Sequence, residues 1–152
     1  MDHKDIQIIR ALQENGRLTN QDLSELVNLS PSPCLRRVRL LEERGIIKGY
    51  TAQVDQAAYG LPLTAIVRIG LERHNEEAVS KFEERISYID EILDCYMMSG
   101  DADYLLRVVV RDLAAYEDFV RQTLHRIPGI TSIDTSFAYG VIKQSNILPA
   151  PK

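Results

Sequence analysis

Apolar residues recur every three to four positions through the first 45 residues of this chain, and later at every second position in several stretches. In Asp5–Asn15, Ile6, Ile9 and Leu12, with Ile8, keep helical spacing, and Gly16 follows as a stop. Thr19-Asn20-Gln21-Asp22 has the spacing of a capping box, with a carboxylate three residues after the threonine. Leu23, Leu26 and Val27 make a second, short amphipathic helix, which Asn28-Leu29-Ser30-Pro31 breaks. A third helix spans Ser30–Gly45, SPSPCLRRVRLLEERG. Ser30 and Ser32 suit its N-cap, Pro31 and Pro33 its first turn, and Gly45 the left-handed position that ends it. At about 100° per residue, Leu35, Val38 and Leu41 share one side with Cys34 at its edge. Arg36, Arg37, Arg39 and Leu40 spread around the other side. Three short helices with a tight break between the second and third describe a helix-turn-helix, about residues 20–39. The β-branched and aromatic residues of Ile46–Asp55 predict a short strand pair, a wing and a connecting strand.

Gly60-Leu61-Pro62 punctuates the chain, and the period then changes. Leu63–Leu71 alternates as a strand, and Asn75 caps a helix to about Ser87 with Val79, Phe82 and Ile86 inward. Glu91–Ser99 and Tyr104–Val110 read as strands around the turn Gly100-Asp101-Ala102-Asp103. Asp112 caps a helix through Leu124 with Leu113, Tyr116, Phe119, Val120 and Leu124 on its apolar face, and Ile130–Ile142 is a last strand. The order β-α-β-β-α-β is that of a ferredoxin-like unit, one antiparallel sheet with two helices on one face. The fold class is therefore α+β. A winged helix-turn-helix spans 1–50, a connecting strand or linker 51–61, a ferredoxin-like domain 62–145, and a tail 146–152 that is expected to fray. The length of the last strand predicts that part of the open sheet face is covered by another copy.

Composition changes this picture little. With 45% hydrophobic and 26% charged residues the 152-residue chain is of ordinary globular type. No apolar run approaches the ~20 residues of a membrane span. Two cysteines, Cys34 and Cys95, both inside predicted elements, point to a reducing cytoplasm. Charge says more: the chain carries −4 overall, but residues 30–50 hold five basic side chains against two acidic ones. A local basic patch suffices to meet phosphate, and the acidic remainder limits indiscriminate binding. His3, His74 and His125 lie far apart, with no metal-ligand spacing and no phosphate-cradling loop, which argues against an enzyme.

Together the stretches Gly16–Ala52 (GRLTNQDLSELVNLSPSPCLRRVRLLEERGIIKGYTA), Ser99–Val110 (SGDADYLLRVVV), Tyr116–Ile130 and Val141–Pro149 (VIKQSNILP) resemble the Lrp/AsnC family. These are leucine-responsive, "feast/famine" transcription regulators that sense amino acids; SPSPCLRRV and KQSN place the chain nearer the leucine-responsive branch. The resemblance covers nearly the whole length and implies that the third helix enters a DNA major groove. Ser30, Ser32 and Pro33 at the helix N-terminus are then candidates for phosphate. Arg36, Arg37 and Arg39 reach phosphate or guanine, and Thr19 and Asn20 either hold phosphate or only cap. Leu40 stands where the family commonly carries a basic residue; it either meets a thymine methyl or packs on the wing. By the same resemblance Gly100, Asp101, Asp103 and Tyr104, with Met98, form an amino-acid effector site, leucine or methionine being expected. Thr135 and Ser136 are hydroxyl partners expected from a neighbouring subunit. The implied partners are a pseudo-palindromic double-stranded DNA site, a free amino acid, and further copies of the chain, dimers assembling to an octamer, with no membrane. No cofactor or metal is expected. A ligand-independent, nucleoid-like DNA-binding protein is the alternative.

Overall fold

The computed structural model describes residues 1–72 and 76–151. Packing divides the chain into two compact units, Met1–Gln53 together with the segment from Ile142 onward, and Val54–Val141.

In the first unit, α1 (His3–Glu14), α2 (Asn20–Leu26) and α3 (Pro31–Glu43) bury Ile8, Leu23, Val27, Cys34 and Leu41 against one another. The first helix starts earlier than its apolar period predicts, because Asp2 and Asp5 form a reciprocal capping box. Asn28, at φ 51, ends α2. Asn28 N–H donates to Glu25 O and Leu29 N–H to Ser24 O, the double closure of a left-handed helix end. Gly45 (φ 68) ends α3 in the same way, with Ile46 N–H on Leu41 O.

Cys34, expected at the edge of the buried face of α3, is fully enclosed, whereas Leu35 is exposed. The inward stripe is therefore Cys34–Val38–Leu41, rotated by one residue from the reading that centred on Leu35. The expected strand pair over Ile46–Asp55 does not form. A strand needs a neighbour for its N–H and C=O groups, and among the described residues no strand pairs with this stretch. Its apolar residues are used otherwise: Ile47 joins the three-helix core. Tyr50 lies against Gly16, and its hydroxyl donates to Glu42 at 2.9 Å. The tail expected to fray instead packs in this unit. Gln13 Nε2 donates to Asn146 O at 3.2 Å, and Leu148 and Pro149 help line a cavity of about 790 Å³ beside α1 and residues 46–53.

The second unit is built on β1 (Leu63–Leu71), β2 (Ile92–Met97), β3 (Tyr104–Val110) and β4 (Ile130–Phe137), ordered β2-β3-β1-β4 and antiparallel throughout. Two helices, α4 (Glu76–Ile86) and α5 (Leu113–Gln122), supply Phe82, Ile86, Tyr116 and Phe119 to one face. There they meet Ala65, Val67, Ile69, Leu106 and Val108. This is the ferredoxin-like arrangement. Asp112 caps α5 through Ala115 N–H, but Leu113, expected on its apolar face, is exposed. The Asn75 cap expected for α4 lies outside the described residues. The last strand stops at Phe137, five residues short of its predicted end. The linker and tail drawn at 51–61 and 146–152 thus differ from the packing, which divides the chain after Gln53 and after Val141.

Candidate functional site

Two sets of residues were expected to carry function, one in each unit. On α3 the face opposite Cys34, Val38 and Leu41 is a stripe of Ser32, Arg36 and Arg39, all exposed. Ser30 is the N-cap but makes no side-chain cap bond, and its hydroxyl has no hydrogen-bond partner among the described residues. Pro33 is exposed beside it. Leu40 is 39% exposed and outside the core of this unit. A helix N-terminus with free amides, followed by two arginines on one stripe, can hold phosphate and reach base edges.

The other three candidates here are engaged. Thr19 caps α2, accepting from Asp22 N–H at 3.1 Å and donating to Asp22 Oδ2 at 2.7 Å. Asn20 Nδ2 donates to Pro31 O at 3.0 Å, tying the start of α2 to the start of α3. Arg37, expected to face the groove, is held by Asp5 at 2.7 Å and Asp2 at 2.8 Å. These carboxylates raise its guanidinium pKa still further, Asp5 more than Asp2. Asp2 is lowered in turn, first by the Asp5 N–H and then by Arg37. Sequence reading missed Asp2, Asp5 and Lys4 as groups that organise this site. The signal was present in the Asp-x-x-Asp spacing of a capping box at the first residues.

In the second unit the β2–β3 turn is tightly closed. Met98 N–H donates to Asp103 O and Asp103 N–H to Ile69 O, each at 2.9 Å. The pairing of β1 with β4 shifts between Gly70 and Leu71, and Leu71 N–H donates to Asp103 Oδ2 at 2.7 Å. Asp103 is therefore a strut of the turn. Asp101 is exposed and makes no hydrogen bond among the described residues. Gly100, at φ 131, has open space where a Cβ would stand, and Met98 is exposed beside it.

Tyr104, expected to line the effector site, points into the core. Its ring lies 4.7 Å from Phe82 and its hydroxyl donates to Glu83 at 2.5 Å. Alternation along β3 puts Tyr104 on the same face as Leu106 and Val108, away from the open side. Thr135 shares that inner face and bonds the Tyr116 hydroxyl at 2.5 Å, while Ser136, its neighbour, faces the other way. Ser136 pairs with Ile66, four residues along β1 from Gly70, so about 13 Å of strand separates it from the end near the turn. One protomer thus brings Met98, Gly100 and Asp101 together and leaves Thr135 and Ser136 elsewhere.

A helix-turn-helix with a basic outward stripe, and a separate ferredoxin-like unit with an exposed turn, suit a nucleic-acid reader joined to a small-molecule domain. Comparison with known proteins bears on both halves. A family model described as winged helix-turn-helix DNA-binding matches residues 1–48, and one described as the Lrp/AsnC ligand binding domain matches residues 64–148. The chain is 45% identical over 138 residues to the Bkd operon transcriptional regulator of Pseudomonas aeruginosa, covering 91% of this chain and 90% of that protein. It is 40% identical over 148 residues to the leucine-responsive regulatory protein of Escherichia coli, covering 97% and 90%. A transcriptional regulator of Neisseria meningitidis, solved with L-methionine, superposes with a TM-score of 0.94 at 40% identity, covering 98% of this chain and 96% of that one. The chain belongs to the Lrp/AsnC family of DNA-binding transcription regulators. Its relatives are regulators and not enzymes. Among the described residues no helix is long and apolar enough to cross a membrane, and no three His, Cys, Asp or Glu side chains are grouped to hold a metal.

Proposed function

We propose that this regulator reads a pseudo-palindromic DNA site with paired α3 helices and senses a free amino acid, leucine or methionine, at the Gly100–Asp103 turn. The carrying observation is an exposed Asp101, without a hydrogen bond among the described residues, next to Gly100, where nothing fills the space of a Cβ. Asp101 would take the α-ammonium, exposed turn amides the α-carboxylate, and Met98 the side chain. Asp103 keeps the turn in shape and makes no further demand on the ligand. Thr135 and Ser136 lie too far along β4 to join this site within one chain, so their part requires a second protomer. The solved L-methionine complex of the Neisseria relative supports the ligand class. We further propose that dimers assemble to an octamer and that the protein works in the cytoplasm, where its DNA is.

A thermal-shift screen of the twenty amino acids tests the effector reading. Ligand that binds only the native state raises the melting temperature by mass action. The expected result is a rise with leucine or methionine that Asp101→Ala abolishes while leaving the ligand-free melting temperature unchanged. No shift with any amino acid, or an equal shift in the variant, overturns the assignment and favours a DNA-binding protein without an effector.

A further inference from the structure

The first turn of α1 reaches across the helix-turn-helix in two directions. Lys4 Nζ donates to Val27 O at 2.5 Å, closing the end of α2. Asp5 and Asp2 hold Arg37 of α3 at 2.7 and 2.8 Å. The Asp5 side chain is 15% exposed and that of Arg37 29%, so this pair is shielded from water far more than the i,i+4 pairs elsewhere on the surface. For Arg37 to swing out to DNA, Asp5 would be left half-buried with its charge unpaired, which is strongly unfavourable. The helix geometry agrees. At about 100° per residue Arg37 stands about 40° from Leu41, on the border of the inward stripe. Ser32, Arg36 and Arg39 lie together on the outward one, and neither Arg36 nor Arg39 has an ion pair among the described residues.

We propose that Arg37 is a positioning residue, an ion-paired pin through which Asp2 and Asp5 set the angle of α3, and that Arg36 and Arg39 make the DNA contacts. The turn of α1 that bears Asp2, Lys4 and Asp5 then fixes both reading-module helices at once. This rests on α3 being the groove element. A phosphate-contacting side chain contributes to the salt dependence of binding, each contact adding about 0.9 to the slope of log K against log salt. A pin contributes affinity without slope.

The test uses the full chain and a duplex enriched from a random pool by the parent protein, with a random duplex beside it, titrated over a range of salt. Arg37→Gln and Asp5→Asn should each weaken binding to the enriched duplex about tenfold, the scale of one misplaced contact. The slope should not change, and the double variant should be no weaker than either single one. Arg36→Gln should lower the slope by about 0.9. A slope that falls for Arg37→Gln, or tighter binding by Asp5→Asn because a groove-reading arginine has been released, overturns the proposal, as does parental affinity in both variants. Asp5→Asn keeps the size and one acceptor oxygen, enough for the Asp2 N–H of the capping box while the charge that holds Arg37 is lost, so it decides the question even if Arg37→Gln unfolds. Parental affinity and slope in both Arg36→Gln and Arg39→Gln would instead remove α3 from the groove, and the proposal with it.

Discussion

Asn28 holds a left-handed backbone, φ 51, in the turn between α2 and α3. Asparagine tolerates this conformation better than residues with a plain Cβ branch, and glycine adopts it freely. Asn28→Ala should therefore cost about 1 kcal/mol in chemical denaturation, whereas Asn28→Gly should stay near the parent. Thr19→Ala should cost about 1 kcal/mol as a lost cap. If capping is its whole role, the salt slope of DNA binding will not move. Tyr50 offers a test by pH. Burial, and secondarily the Glu42 carboxylate that accepts its hydroxyl proton, push its pKa up from 10.0 to about 12. The native state thus keeps a proton that the unfolded chain loses first. This stability contribution is intact below pH 10 and is lost as pH rises towards 12. Tyrosinate absorbance should show a late component near pH 12 that Tyr50→Phe removes.

The elements differ in how plainly they could be read. Strands β1 and β3 were legible to the residue, since each is covered on one face and must alternate. The face of α3 was misread by one position because Leu35 looked more apolar than Cys34; packing against Ile8 and Val27 favours the small thiol. The strand pair expected over Ile46–Asp55 was misread for a different reason. Strand propensity says that a residue fits a pleated surface, and among the described residues no strand pairs with Ile46–Asp55. Helix α4 depends on Phe82, wholly enclosed and in tilted ring contact with Tyr104. Phe82→Ala should cost about 3–5 kcal/mol by denaturant titration, through lost burial and the cavity left behind. Losing instead under 1 kcal/mol would mean that α4 does not anchor to the sheet as described.

For the whole molecule, the open face of the sheet carries Arg68–Asp134 and Arg107–Asp94 pairs around half-buried Ile66 and Leu105, with Tyr96 exposed beside them. A mixed apolar and ion-paired surface suits association between copies, and light scattering should report a mass several times that of one 17.3 kDa chain. If the effector acts on assembly, adding the amino acid that raises the melting temperature should change that mass or its concentration dependence. Its leverage is limited to its differential affinity for the two assemblies.

The sequence alone determined the order of the helices and of the four sheet strands and the two-part architecture, because periodicity, caps and turn residues are local properties, and its longer stretches carried the resemblance to the family. It also marked the turn at Gly100–Asp103 and the arginines of α3 as candidates. Tertiary structure decided which of those candidates are free. Asp103 and Asp101 are two residues apart and chemically identical, yet one is used by the Leu71 amide and the other is not. Arg36 and Arg37 are adjacent, yet only the second is met by carboxylates 32 and 35 residues away in the chain. Partners so distant leave no periodic trace, and a side chain is available for function only if folding has not already engaged it.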